Sequence, residues 1–157
     1  EKKTALLLAH SLRIGAYIAG ASTDEQEALY QYGRHIGIAF QIQDDVLDVY
    51  GDPSSFGKAI GGDICCNKKT FLLLTALDIA DAESKAELLQ WLITSNQNEE
   101  KIKAITSIYT RLGVRQIGEA VMEDHTAEAL AQLELLPQNE YTNHLRELAE
   151  KLATRKR

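Results

Sequence analysis

From Thr4 to Ala19, apolar or small side chains return at Leu8, Leu12, Ala16 and Ala19. That spacing of three or four residues puts them on one face of an α-helix. Gly20 follows, and a glycine just past the last periodic residue marks a helix end. Ser22, Thr23, Asp24 and Glu25 then supply N-cap residues and first-turn acids. From there the pattern runs unbroken to Tyr50, which predicts one long second helix. Gly51-Asp52-Pro53-Ser54-Ser55 ends it with turn formers, and the glycine-rich stretch that continues to Asn67 reads as a long loop. Loops of that length are functional or disordered more often than they are plain connections. Beyond it the periodicity predicts helices over 69–80, 82–94, 99–111, 114–136 and 139–153, separated by a polar break at 95–98, by Gly113 and by Pro137,. With only two prolines and little β-branched or aromatic alternation, the expected fold is all-α.

Inside the second helix, Gly33 and Gly37 stand four residues apart. Glycine costs a helix about 1 kcal/mol relative to alanine, so two on one face predict the close approach of another helix backbone.

Composition narrows the class. With 45% hydrophobic and 25% charged residues over 157 positions, the chain has the balance of one globular domain with a sizeable core,. The formal charge is −6, and the last seven residues hold Lys151, Arg155, Lys156 and Arg157 with no acid, so the body without those four carries −10. A body of that sign repels a phosphate backbone, and no basic stripe with interleaved aromatics offsets it, which excludes nucleic acid as an expected partner. Cys65 and Cys66 are adjacent, a spacing poorly suited to an ordinary disulfide, and they point to a reducing compartment. Apolar runs such as Leu6-Leu7-Leu8-Ala9 and Phe71-Leu72-Leu73-Leu74 are far shorter than the roughly 20 residues of a membrane span. No signal peptide or transmembrane segment is expected. His10, His35, His125 and His144 are scattered and read as structural or surface residues.

The candidate chemistry lies near the end of the long helix. Gln41, Asp44, Asp45 and Asp48 fall three or four residues apart in the sequence Gly37-Ile38-Ala39-Phe40-Gln41-Ile42-Gln43-Asp44-Asp45-Val46-Leu47-Asp48, so their side chains crowd one helix face. Three carboxylates repel unless a cation compensates, and a set of oxygen donors without His or Cys suits Mg²⁺ rather than zinc. A solvated face is the usual fate of a charge run, but the apolar flanks argue against it here. A calcium loop is disfavoured by the helical context and by the absence of alternating acids. The loop and the start of the next helix then supply Gly57-Lys58, Gly61-Gly62-Asp63 and Asn67-Lys68-Lys69-Thr70. Lysines and a helix N-terminus both stabilise polyanions such as phosphates.

Taken in order, Lys3-Thr4, Phe40-Gln41-Ile42-Gln43-Asp44-Asp45-Val46-Leu47-Asp48, Gly57-Lys58, Asp63 and Lys68 resemble the trans-type isoprenyl diphosphate synthases. The resemblance rests on the order and spacing of four elements over about seventy residues rather than on a single DDxxD. It implies an all-α helical bundle of the isoprenoid synthase type around a deep cavity, with two aspartate-rich motifs facing each other at its mouth. Asp44, Asp45 and Asp48 resemble the second motif, which holds Mg²⁺ on an allylic diphosphate, with Asp44 the direct ligand. Lys3, Lys58 and Lys68 are implied to contact that diphosphate. Thr4, Gln41 and the main-chain carbonyl of Lys3 are implied to face the developing carbocation. The family often has glycine and proline where this chain has Asn67 and Leu72.

The implied reaction condenses an allylic diphosphate with isopentenyl diphosphate by way of an allylic cation. The resemblance further implies a cytoplasmic homodimer. No first aspartate-rich motif, and no arginine pair after it, occurs in these residues. The expectation is therefore that residues 1–157 are the C-terminal part of a single synthase domain and are inactive alone. The alternatives weighed beside it are a noncatalytic partner subunit of a related synthase and a terpene cyclase.

Overall fold

The computed structural model describes residues 2–52, 60–94 and 99–154, and among them the chain forms eight helices and no strand. These are α1 (Ala5–Ile18), α2 (Thr23–Tyr50), α3 (Gly62–Cys65), α4 (Phe71–Ile79), α5 (Ala82–Ile93), α6 (Glu99–Arg111), α7 (Val114–Leu133) and α8 (Glu140–Ala153).

The helix starts follow their sequence signals. Ser22 and Glu25 exchange bonds before α2: the Glu25 carboxylate accepts from the Ser22 N–H at 2.7 Å, and the Glu25 N–H donates to Ser22 Oγ at 3.3 Å. This reciprocal arrangement is a capping box, and the Ser22 hydroxyl, which also donates to the Glu25 carboxylate at 2.7 Å, followed by the Ser22 N–H, holds that carboxyl below its usual range. Thr70 caps α4 by accepting from the Leu73 N–H, Asp81 caps α5 by accepting from the Ser84 N–H, and Asn139 opens α8 with a second capping box.

Two elements differ from the sequence expectation. The loop expected to reach Asn67 contains α3, a helix of four residues too short to impose any periodicity. The helix expected over 114–136 stops at Leu133. Leu135 and Leu136 prolong the apolar pattern, but Pro137 disfavours helical geometry at the residue before it. The last turn tightens into bonds from Leu135 N–H to Gln132 O and from Leu136 N–H to Leu133 O, and Gln138 Nε2 donates to the carbonyls of Leu133 and Leu136. Leu136 is thereby buried while Leu135 is left exposed.

The described residues form two compact units, one from 2–43 and 120–154 and the other from 44–119. In the first unit, α1 packs on α2 through the two glycines. A Cβ on Gly37 would lie 2.4 Å from Ala5 Cα, and one on Gly33 would lie 2.9 Å from Ala9 Cα, so only glycine permits this approach. The core of the unit joins Ala28, Tyr32 and Ile36 of α2 to Ala129 and Leu133 of α7, to Leu136 just beyond it, and to Ala149 of α8. Tyr32 is fully buried there, donates its hydroxyl to Leu145 O at 2.7 Å, and has its pKa pushed by burial to about 12. His35 and His125, far apart in sequence and read from it as unrelated, meet in this unit with their Nδ1 atoms 3.0 Å apart.

In the second unit, α6 packs against α3, α4 and α5. Leu72, Leu73, Ala76, Leu88, Ile105, Ile108 and Tyr109 are its buried apolar residues on α4, α5 and α6. Cys65 and Cys66 are free thiols. No helix among the described residues is long and apolar enough to cross a membrane.

Candidate functional site

The last two turns of α2 carry Asp44, Asp45 and Asp48, and the structure gives each a different environment. Asp44 is half-buried and, among the described residues, makes no hydrogen bond or ion pair. Asp48 reaches the start of α3. Its Oδ2 accepts the Asp63 N–H at 3.0 Å, and its main-chain oxygen accepts the Gly61 N–H at 2.7 Å. Gly61 sits at φ +81°, and a Cβ there would lie 2.7 Å from the Ile102 side chain, so this contact too requires glycine. Burial pushes the Asp48 carboxyl above its usual range, and the Asp63 and Asp44 carboxylates push it the same way against the opposing Asp63 N–H and Lys68.

Asp45 is buried at 5% exposure and both its oxygens have partners. Oδ2 accepts the N–H of Phe71, the first residue of α4, at 3.1 Å, and Oδ1 lies 3.5 Å from Lys68 Nζ. A carboxylate at a helix N-terminus satisfies an otherwise unpaired donor and faces the positive end of the helix dipole. Lys68 Nζ also bonds Asp63 Oδ2. Burial alone would lower the pKa of Lys68. The hydrogen bond to Asp63 and the charges of Asp45 and Asp63 outweigh burial and hold it above the usual lysine range.

The turn that delivers Lys68 is a Schellman motif. The N–H of Asn67 donates to Ile64 O and that of Lys68 to Asp63 O, while Asn67 takes the left-handed conformation at φ +50°, as the residue after such a helix end must. Glycine is the usual residue at that position and asparagine the common substitute, which accounts for asparagine where the resemblance led one to expect glycine. The Asn67 side chain is itself tied down: Nδ2 donates to Leu92 O at 2.9 Å, and Oδ1 accepts from Lys101 Nζ at 2.8 Å.

Thr4 and Gln41 belong to the first unit, where Thr4 Oγ1 donates to Gln41 Oε1 at 2.9 Å. Ala5, Gly37 and Gly33 form the close α1–α2 seam beside this pair. Lys3 is exposed in the turn before α1. Lys58 lies outside the described residues.

The structure thus groups Asp48, Asp63, Lys68 and Asp45, and separately pairs Thr4 with Gln41. Among the described residues, no three His, Cys, Asp or Glu side chains converge as a metal centre by themselves. The carboxylates of Asp44 and Asp48 nevertheless fit a hard divalent cation. Asp44 has no bonded partner among the described residues, and Asp48 is pushed up by burial and by neighbouring negative charge, an environment that a cation would relieve. Asp45 differs, since its oxygens already serve Phe71 and Lys68. Sequence reasoning missed Lys101, the Phe71 N–H and the ion-pairing role of Asp63. Only Asp63 carried a signal, its place among the glycines of the loop.

The polyprenyl synthetase profile matches residues 1–109. A short chain isoprenyl diphosphate synthase of Methanothermobacter thermautotrophicus is 37% identical over 149 residues, which cover 95% of this chain and 45% of that protein. Heptaprenyl diphosphate synthase component 2 of Bacillus subtilis is 30% identical over 156 residues, covering 99% of this chain and 44% of that protein. Among solved structures, a geranylgeranyl pyrophosphate synthase from Corynebacterium glutamicum, complexed with isoprenyl diphosphate and magnesium, superposes with a TM-score of 0.83 at 34% identity, over 94% of this chain and 42% of that one. The chain therefore spans less than half the length of each of these proteins.

Proposed function

Because the chain belongs to the polyprenyl synthetase family, we propose that the whole protein is a divalent-metal-dependent trans-prenyltransferase and that these residues are the C-terminal part of its single catalytic domain. It condenses an allylic diphosphate with isopentenyl diphosphate to give a longer trans-prenyl diphosphate. The observation that carries this reading is the grouping of Asp48, Asp63, Lys68 and Asp45 at the end of α2 beside Asp44, which has no bonded partner among the described residues.

Breaking the allylic carbon–oxygen bond leaves a diphosphate with added negative charge. Groups that bind that charge more strongly in the transition state than in the ground state accelerate the step. In this reading Asp44 and Asp48 would hold Mg²⁺, and Lys3, Lys58 and Lys68 would contact the diphosphate oxygens. Bound Mg²⁺ supplies the positive charge that lets carboxylates and phosphate oxygens share one site. A lysine ammonium has three donors, and with Asp45 and Asp63 taking two, Lys68 keeps one for the diphosphate. Asp45 fixes where that donor points. The Thr4 hydroxyl orients Gln41, and these two side chains with the Lys3 carbonyl present their oxygens to the allylic cation. The alkene of isopentenyl diphosphate then attacks that cation, and the proton lost afterwards passes to the released diphosphate. Water must be kept out for the cation to survive, which an apolar cavity accomplishes.

The test is condensation of labelled isopentenyl diphosphate by the whole protein with Mg²⁺. Asp44→Ala is expected to lower the rate by about a thousandfold, and chelation to abolish it. Wild-type turnover in Asp44→Ala would sink the reading. Release of a cyclic hydrocarbon from the allylic substrate alone would replace it with a terpene cyclase. A second reading, a subunit of a two-component synthase, is favoured by the relative named as component 2, and it predicts activity only after a second polypeptide is added. The resemblance also supports a cytoplasmic homodimer, checked by light scattering and fractionation.

A further inference from the structure

Lys101 is the most deeply buried charged side chain among the described residues. It is 1% exposed although it carries a long polar side chain, and it is the third residue of α6, where a basic side chain faces the positive end of the helix dipole. A fully buried lysine needs hydrogen-bond partners for its ammonium to offset the cost of leaving water. Its bonds show what it does. Nζ donates to Asn67 Oδ1 at 2.8 Å and to the carbonyl of Thr94, the residue that ends α5, at 3.2 Å. Asn67 Nδ2 in turn donates to Leu92 O near the same helix end.

Asn67 is the left-handed residue of the Schellman turn, a conformation that asparagine tolerates better than other non-glycine residues and that its side-chain bonds to Leu92 O and Lys101 Nζ hold in place here,. The next residue is Lys68, whose N–H bonds Asp63 O and whose carbonyl accepts the Thr70 N–H, so the direction of the Lys68 side chain follows from the turn at Asn67.

We propose that Lys101 is a positioning residue for Lys68: by clamping the left-handed Asn67 to the end of α5, it aims the Lys68 ammonium at Asp45, Asp63 and the substrate diphosphate. The inference rests on the proposed prenyltransferase reading and deepens it, because it assigns the accuracy of diphosphate contact to a buried residue that never touches substrate.

Steady-state kinetics of the whole protein test it. Lys101→Met is expected to raise KM for the allylic diphosphate about tenfold while kcat changes less than threefold. Lys101→Arg, which keeps donors on a long stem, is expected to recover part of that loss. In an Asn67→Gly background, glycine adopts the left-handed turn without a clamp. There Lys101→Met should change KM less than twofold, although its effect on the thermal midpoint persists. An equal KM change in both backgrounds would show that Lys101 does not act through the turn at Asn67, and that result overturns the inference. So does an unchanged KM in folded Lys101→Met. If Lys101→Met does not fold, Asn67→Ala against Asn67→Gly serves instead, with a raised KM expected for alanine alone and equal values overturning the proposal. Absence of condensation by the wild-type protein overturns the functional reading beneath it. Wild-type activity with an indifferent Lys101 overturns the inference alone.

Discussion

The two units hold their candidate residues in place by opposite means. In the first, Thr4 and Gln41 are brought together by backbone fit: α1 and α2 approach until Ala5 Cα occupies the space of a Gly37 side chain, and the single hydrogen bond of 2.9 Å between Thr4 and Gln41 follows from that contact. In the second, Asp45, Asp48, Asp63 and Lys68 come from a helix end, a four-residue helix and a turn, and they are held by hydrogen bonds and ion pairs across these elements. Steric positioning is rigid and indifferent to salt. Polar positioning can exchange partners and is weakened by salt.

The largest expected effect breaks the steric side. A Cβ on Gly37 meets backbone rather than a flexible side-chain tip, so the seam must open. Gly37→Ala is expected to cost about 2–3 kcal/mol in urea denaturation, despite alanine's better helix propensity, and Gly37→Val more. Raising salt should leave this loss unchanged. A neutral Gly37→Ala would mean that the α1 and α2 backbones do not meet at Gly37.

Next comes the polar side. Lys68→Met leaves the buried Asp45 without its ion-pair partner. Lys68 has 36% of its side chain exposed, so solvent screening reduces the cost to about 1 kcal/mol. Combining it with Asp45→Asn should cost less than the two separate losses added, since the buried charge that lost Lys68 is then gone. Unlike the glycine variant, Lys68→Met should retain most of its stability and lose mainly substrate affinity. Strict additivity in the double-mutant cycle would show that the two side chains are not coupled.

These two sides were not equally legible in the sequence. The steric seam could be read directly, because two glycines on one face of a long helix forfeit helix propensity and leave a groove that only a neighbouring backbone fills. The acidic face of α2 followed from periodicity in the same way. The surroundings of Asp45 and Asp48 could not be read. Four-residue α3 has no period to detect, the Schellman turn at Asn67 has no spacing signature, and Lys101 between Glu100 and Ile102 looks like any solvated lysine until the fold brings it to Asn67. The end of α7 was overrun because Leu135 and Leu136 keep the apolar pattern while Pro137 alone opposes it. His35 and His125 met for the same reason that Lys101 met Asn67. Long-range contacts between elements leave no local trace, whereas a helix face that must stay small or charged does.

The sterically packed first unit also holds a titrating group, Tyr32. Tyr32 donates to Leu145 O from a fully buried position, and burial raises its pKa to about 12 from an unfolded value near 10. Below pH 10 both states keep the proton and Tyr32 adds no pH dependence. Between pH 10 and about 12 the unfolded chain loses its proton while the folded one keeps it, so the stability this burial provides falls as pH rises through that window. Tyr32→Phe removes one hydrogen bond and should cost about 1 kcal/mol at neutral pH, while flattening the alkaline decline in stability measured by urea titration from pH 9 to 12. An undiminished decline in Tyr32→Phe would assign the alkaline sensitivity to other tyrosines, of which Tyr109 in the second unit, also raised by burial, is the first to test.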